Sequence, residues 1–302
     1  MKKIILNPYL ILACRPRQWT KNLLVFTAPT FSFQLNWDLW ASSIVSFIMF
    51  CLLSSSVYLV NDTLDIKLDK LHPTKRKRPI ASGRVSIEEA LICAISFVIF
   101  AIFIGLLLSV KLVIVGILYL LMQLSYCIWF KRKPIIDIFC ISAGFLLRAI
   151  SGAFASSLYI SPWFLLSLGL LALFLSIEKR KSELEVSIQK NIITREVLKS
   201  YSMSLLKRYE NIVSTGAFFS YALWAAGPAL NGAPTQWMLI TVPLVLIGIF
   251  RYQFISDKDS INSKENLIST ENPEDILLKD KGIKLIIITW LISIFLIGMF
   301  VF

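Results

Sequence analysis

The sequence predicts an all-α, multi-pass transmembrane bundle of about nine helices, organised as a single membrane domain over residues 1–302. Three observations predict it. Hydrophobic residues make up 56% of the chain and charged residues 17%, whereas soluble domains run nearer roughly 45–50% and about 25%. Apolar stretches recur from end to end, several approaching the roughly 20 residues that a helix needs to cross the hydrocarbon layer. The basic residues gather in every second interval between those stretches, as expected when short cytoplasmic loops hold the Lys and Arg.

In chain order the expected spans are 20–36, 40–60, 88–109, 112–130, 135–155, 162–177, 211–230, 236–254 and 284–302. The first has the shortest uninterrupted apolar run, Leu23 to Phe33, and needs flanking residues to reach across. Lys2, Lys3, Arg15, Arg17 and Lys21 precede or open it. Residues 61–86 then hold seven basic groups, 131–133 three, 178–210 eight and 251–284 six, which puts 29 of the 31 on one side. That side is the cytoplasmic face of the cell's inner membrane, with the N-terminus inside and, after an odd number of spans, Phe302 outside. Lys111, in a short outer turn, and Arg148, inside a span, are the exceptions.

Charge placement also explains the net charge of +12. Its blocks coincide with loop positions, so topology accounts for them and nucleic acid is not expected as a partner. Near the N-terminus Ile11-Leu12-Ala13-Cys14 imitates a lipoprotein signal, but Asn7-Pro8 breaks the stretch and Arg15-Pro16-Arg17 follows it, which suits an interfacial lead-in to the first helix. The five cysteines (14, 51, 93, 127 and 140) form no C-x-x-C pair and lie mostly within spans, where a thiol behaves as a small hydrophobe, so no disulfide framework is implied. His72 is the single histidine, and no H-E-x-x-H, P-loop or G-x-G-x-x-G pattern occurs. Soft-metal and nucleotide-fold chemistry are thereby excluded. Catalysis has only the polar loops and the adjoining helix ends to use.

The segment richest in chemistry follows the second span: Asn61-Asp62-Thr-Leu-Asp65-Ile-Lys-Leu-Asp69-Lys-Leu-His72-Pro73-Thr-Lys75-Arg76-Lys-Arg78-Pro79. The apolar run Phe47 to Val60 leads into it, so the helix is expected to continue past the membrane. Helical spacing then sets Asn61, Asp62, Asp65 and Asp69 on a common face. Like charges so close repel and call for a cation. Hard oxygen donors suit Mg²⁺, which bridges a few carboxylates to substrate phosphates, and Lys75, Arg76, Lys77 and Arg78 stand ready for phosphate oxygens that the metal leaves uncovered. Carboxylates, metal and basic residues together describe a diphosphate site, with Asp62, Asp65 and Asp69 as its catalytic residues. The bland alternatives are a solvated helix end for the aspartates and a topological anchor for the basic run.

Two further regions carry ionisable groups near hydrocarbon. Tyr126 precedes Lys131-Arg132-Lys133-Pro134 and Asp137, and Arg148 lies in the span that follows. Charges there are costly, and are either functional or paired. The third region, Glu178-Lys179-Arg180-Lys181-Ser-Glu183, sits where a span meets the inside.

These strings resemble a known family. The N-D-x-x-D-x-x-x-D pattern after the second of nine spans is similar to that of the UbiA superfamily of intramembrane prenyltransferases, and the resemblance runs over essentially the whole chain. Arg15-Pro-Arg-Gln-Trp-Thr-Lys21-Asn22, His72-Pro-Thr-Lys-Arg-x-Arg-Pro-Ile-Ala-Ser-Gly83, Gly144-Phe-Leu-Leu-Arg148-Ala-Ile-Ser-Gly152 and Lys179-Arg180-x-x-Glu183-Leu184 resemble the decaprenyl-phosphate phosphoribosyltransferase branch. The resemblance implies transfer of 5-phosphoribose from phosphoribosyl diphosphate to a polyprenyl phosphate, with Mg²⁺ on Asn61, Asp62, Asp65 and Asp69. Lys21, Asn22, Lys75, Arg76, Arg78, Tyr126, Lys131, Asp137, Arg148, Lys179 and Arg180 are the implied substrate-binding residues. The chain lacks the second Asp-rich motif usual in aromatic prenyltransferases and carries Lys179, Arg180 and Glu183 in the corresponding half. An aromatic prenyltransferase using a prenyl diphosphate, and a membrane transporter, remain alternative readings of the sequence.

Overall fold

The structure, a computed structural model, describes residues 8–71, 74–190, 196–257, 276 and 279–301. Lys2, Lys3, His72, Pro73 and most of the expected 255–282 loop lie outside them. Every element described is helical: α1 (Pro8–Ala13), a 3₁₀ stretch Pro16–Phe26, α2 (Thr27–Ser32), α3 (Trp37–Leu64), α4 (Ile66–Leu71), α5 (Ile87–Leu106), α6 (Val110–Ile128), α7 (Ile136–Ala155), α8 (Pro162–Lys190), α9 (Met203–Ala225), α10 (Val242–Ser256) and α11 (Lys281–Val301), with short 3₁₀ turns between them. The all-α class expected from the sequence is the one found.

Among the described residues seven segments are long and apolar enough to cross a bilayer: Trp37–Leu64, Ile87–Leu106, Val110–Ile128, Ile136–Ala155, Pro162–Ile188, Gln236–Ser256 and Lys281–Val301. Each overlaps an expected span. The two remaining expected spans differ for local reasons. Residues 20–36 fall in the 3₁₀ stretch and the six-residue α2, which meet at Phe26–Thr27, and Phe33 then turns into the left-handed region at φ 54°. Residues 211–230 fall in α9, whose N-terminal half carries Lys207, Arg208 and Glu210 and which ends at Ala225 before Gly227, at φ 99°, and Pro228.

Helix starts are written in the sequence as polar caps. Asn36 accepts from the Asp38 N–H at 2.9 Å to open α3. At α5, Ser86 accepts from Glu89 N–H at 3.1 Å while the Glu89 carboxylate accepts from Ser86 N–H at 3.0 Å. This reciprocal pair satisfies donors that a helix end otherwise leaves orphaned. The outward faces of α5 and α11 show Ile92, Ile95, Ile99, Phe103, Ile288, Phe295 and Met299. In water such a surface would be costly; in lipid, which is as apolar as the side chains, it is the ordinary exterior.

Two compact units make up the chain: Met1–Phe130 with Leu147–Tyr159, and Lys131–Leu146 with Ile160–Phe302. In the first, α3 is the central helix. One side of it packs Met49, Phe50 and Leu53 with Ala101, Leu112, Val115 and Tyr119, and nearer its end Leu59 packs with Ala13, Cys14, Ile80, Val85 and Ala90. This second cluster holds the loop after α4 against the end of α3. In the second unit, Ile138, Phe174, Ile177, Leu206, Tyr252 and Ile283 form the core.

Candidate active site

The end of α3 carries the first group of candidate residues. The expected aspartate face requires the helix to run on past the membrane, and it does with one interruption: Asp65 takes φ −91° and ψ 6°, and α4 resumes at Ile66. Four-residue bonding persists across the break, with Asp65 N–H donating to Asn61 O at 2.9 Å and Asp69 N–H to Asp65 O at 2.8 Å. Asp62 and Asp69 therefore stay on the same side. Both are buried, at 1% and 3% exposure.

Buried carboxylates need partners, and two arginines supply them. Arg78 Nη1 donates to Asp62 Oδ1 at 3.1 Å and to Asp69 Oδ2 at 2.7 Å. Arg15 Nη2 donates to the same Asp62 oxygen at 2.5 Å while its guanidinium lies 4.8 Å over the Tyr58 ring. The Lys75–Lys77 turn, the extended Arg78 and the buried Pro79, Ile80 and Ala81 deliver Arg78 to that position. Arg15 reaches it from a left-handed backbone conformation at φ 53°. Asn61 and Asp65 are half-buried beside the pair, Lys75 is half-buried, and Arg76 points into the open.

Among the described residues no group of three or more His, Cys, Asp or Glu side chains is arranged to hold a metal ion. The assembled unit is a carboxylate pair whose oxygens Asp62 Oδ1 and Asp69 Oδ2 converge on one guanidinium nitrogen. Such a pair fits Mg²⁺, which is commonly bound by one or two carboxylates and otherwise by water and substrate phosphates.

Deeper in the same unit, Arg148 is 5% exposed and Asn22 fully buried. Arg148 Nε donates to Asn22 Oδ1 at 2.7 Å and Nη2 to the Tyr119 hydroxyl at 2.8 Å. Asn22 in turn donates to Cys51 Sγ and Ser54 Oγ, each at 3.3 Å. Gly152, one turn after Arg148 on α7, has the Val25 backbone against it: a Cβ there would stand 1.8 Å from the Val25 carbonyl oxygen. The close approach fixes the 3₁₀ stretch bearing Lys21 and Asn22 beside the helix bearing Arg148. Lys21 and Tyr126 are half-buried.

In the second unit Asp137 is fully buried at the start of α7. Arg180 Nε donates to its Oδ2 at 2.7 Å, and the Tyr201 hydroxyl donates to its Oδ1 at 2.8 Å. Arg180 also bonds Glu183. Tyr201 accepts from the Ile135 N–H at 2.6 Å, securing a β-branched residue held at φ 69°, a conformation that costs on the order of 1–3 kcal/mol. Burial pushes the Tyr201 phenol above its ordinary value, so it remains a proton donor to Asp137. On another face of α8, Lys181 bonds Glu178 at 2.7 Å and also Glu210. Lys131 and Lys179 are half-buried.

Asp137 is thus partnered by Arg180 and Tyr201, and Arg148 by Asn22 and Tyr119. Sequence reasoning missed Tyr119, Tyr201, Tyr58 and the role of Arg15. Of these only Arg15 had a signal, its place in the Arg15-Pro-Arg-Gln-Trp string, and there it reads equally as an inside charge.

Residues 23–270 match the UbiA prenyltransferase family. The chain is 35% identical to the decaprenyl-phosphate phosphoribosyltransferase of Mycolicibacterium smegmatis, over 93% of this chain and 90% of the relative. It is 32% identical to the protein of that name from Corynebacterium glutamicum, over 94% and 85%. Among solved structures, a UbiA homolog from Archaeoglobus fulgidus bound to DMAPP and Mg²⁺ superposes with a TM-score of 0.70 at 17% identity, covering 96% of this chain and 99% of that one. With a family match spanning most of its length and relatives this similar, the chain belongs to the UbiA prenyltransferase family.

Proposed function

We propose that the chain transfers 5-phosphoribose from phosphoribosyl diphosphate to a polyprenyl phosphate, releasing diphosphate, in a reaction that requires Mg²⁺ and takes place at the cytoplasmic face of the inner membrane. The observation that carries this reading is the convergence of Asp62, Asp69, Arg15 and Arg78 on one point at the end of a membrane helix, in a chain similar along its length to decaprenyl-phosphate phosphoribosyltransferases.

Asp62 and Asp69 would hold Mg²⁺, with Asn61 and Asp65 beside them. When bound, the ion supplies Lewis-acid neutralisation of the departing diphosphate. Arg78 and Arg15, already aimed at the same place, exchange carboxylate oxygens for phosphate oxygens and keep fixed positive charge where leaving-group charge develops. Lys75 and Arg76 extend that charge along the loop. The acceptor phosphate is ionised near neutral pH and needs positioning more than a general base. Lys21, Asn22 and Arg148 in the first unit, and Lys131, Lys179 and Arg180 in the second, are the groups assigned to the 5-phosphate and the acceptor; Asp137 orients Arg180, and Tyr126 lines the sugar pocket.

The test is to give purified protein with Mg²⁺ either labelled phosphoribosyl diphosphate and a polyprenyl phosphate, or labelled prenyl diphosphate and 4-hydroxybenzoate. Labelled lipid from the first mixture is the expected result. Prenylated benzoate from the second mixture alone would make the chain an aromatic prenyltransferase.

A further inference from the structure

The chain enters α7 under the control of a hydroxyl 66 positions away. Ile135 takes φ 69°, a region that a β-branched residue occupies only when its surroundings impose it. Its N–H precedes α7, where the helix offers no carbonyl to receive it. The Tyr201 hydroxyl accepts that N–H at 2.6 Å and donates in turn to Asp137 Oδ1 at 2.8 Å. Arg180 Nε donates to the other oxygen of the same carboxylate at 2.7 Å. One phenol oxygen therefore joins the backbone just after the Lys131–Lys133 run to the carboxylate that holds Arg180. In a dry interior such linked bonds strengthen one another.

Tyr201 can serve as a reference point because it is itself held fast. It is 6% exposed and packs with Ile138, Val197 and Leu206. Its own N–H donates to Leu198 O at 3.2 Å, and the next residue, Ser202, caps α9 by accepting from Leu205 N–H at 3.2 Å. Ile138 lies in the first turn of α7, so the ring packs against the same turn that the hydroxyl bonds. We propose that Tyr201 is a positioning residue for a phosphate monoester bound by Lys131 and Arg180. Through Ile135 it sets the backbone that carries Lys131, and through Asp137 it sets the plane of the Arg180 guanidinium. This role rests on the function proposed above, in which Lys131 and Arg180 serve the 5-phosphate of the donor or the phosphate of the acceptor. Both are phosphate monoesters, and measuring the two substrates separately tells which one Tyr201 governs.

The experiment measures Kd for labelled phosphoribosyl diphosphate and for labelled polyprenyl phosphate on the purified full chain in detergent with Mg²⁺, alongside turnover. Tyr201→Phe keeps the ring and removes both hydrogen bonds. It should weaken one of the two Kd values by about tenfold, the scale of one hydrogen bond to a charged group. The other Kd should hold, with kcat at saturation little changed, the pattern of lost binding and not of lost transition-state contact. Val197→Ala loosens the same apolar cluster without touching those bonds, so it should lower the unfolding midpoint and leave both Kd values alone. Where Tyr201→Phe is itself unstable, adding Ile135→Gly supplies a residue that accepts positive φ without strain, at a side chain that is exposed. The double variant should regain stability and keep the weakened Kd. Wild-type Kd values in Tyr201→Phe, equal weakening of both, the same weakening in Val197→Ala, or recovery of affinity in the double variant each overturns the role of Tyr201. Because binding needs no turnover, the two proposals fail separately: a wild-type protein that binds both substrates but transfers no phosphoribose sinks the reaction alone, and transfer with wild-type affinities in Tyr201→Phe sinks the positioning role alone.

Discussion

Arg78 Nη1 is shared between Asp62 and Asp69, and that sharing sets what each residue does. Asp62 also holds Arg15, so its removal would take the carboxylate from Arg15 and leave Arg78 with Asp69 alone, a costlier defect than the loss of Asp69. Asp69 is the cleaner probe, because Arg78 keeps Asp62 when Asp69 is lost. Asp69→Asn should preserve folding, read as the thermal unfolding midpoint, and lower kcat/KM for phosphoribosyl diphosphate by at least about 100-fold, the scale for one preorganised electrostatic group. A near-wild-type value would move the diphosphate site away from this pair. The aspartates were legible in the sequence because three- and four-residue spacing and the mutual repulsion of carboxylates are properties of residue order alone. Their arginine partners were not: Arg15 is 47 positions from Asp62, and no helical period relates them. Tyr119 and Tyr201 were hidden for the same reason, a hydroxyl among apolar neighbours giving no pattern until its partner is in place.

At the level of elements, hydropathy located the helices well because lipid imposes one length and one composition on every span. It overran at residues 20–36, where apolar content is high enough for a span but the backbone is 3₁₀ from Pro16 to Phe26. An 11-residue 3₁₀ helix is long for its kind, and hydropathy has no means of separating it from an α-helix. The helix rises about 2.0 Å per residue in place of 1.5 Å and brings Asn22 to Arg148 and Val25 to Gly152. Gly152→Ala should therefore be poorly tolerated: its methyl would meet a backbone carbonyl that cannot rotate aside, and overpacking of even flexible cores costs about 1–3 kcal/mol. The expected outcome is a clear fall in the unfolding midpoint together with loss of activity. Gly169→Ala, whose Cβ would meet only the Leu146 side chain at 3.3 Å, is the control and should be mild. Equal behaviour of the two variants would mean that the 3₁₀ stretch is not pinned at Gly152.

For the whole molecule, the proposed orientation rests on the basic residues and the proposed chemistry on the carboxylate pair, and each can be checked without the other. The loop after α4 carries Arg78 and should face the cytoplasm. Ser82 in that loop is exposed, and four of the five native cysteines are buried and the fifth half-buried, so the native background is low. Ser82→Cys in intact cells should resist an impermeant thiol reagent and react once the membrane is opened; labelling from outside would invert the topology. The central claim is that the chain moves phosphoribose intact onto a lipid phosphate while diphosphate leaves. Its most direct test is a two-label measurement on purified protein with Mg²⁺ and polyprenyl phosphate, in which one isotope marks the 5-phosphate of phosphoribosyl diphosphate and another its terminal phosphate. The account predicts the 5-phosphate label in extractable lipid and an equal amount of the terminal label in water as free diphosphate, both abolished by EDTA. Terminal label in the lipid, or undiminished transfer in excess EDTA, would contradict it.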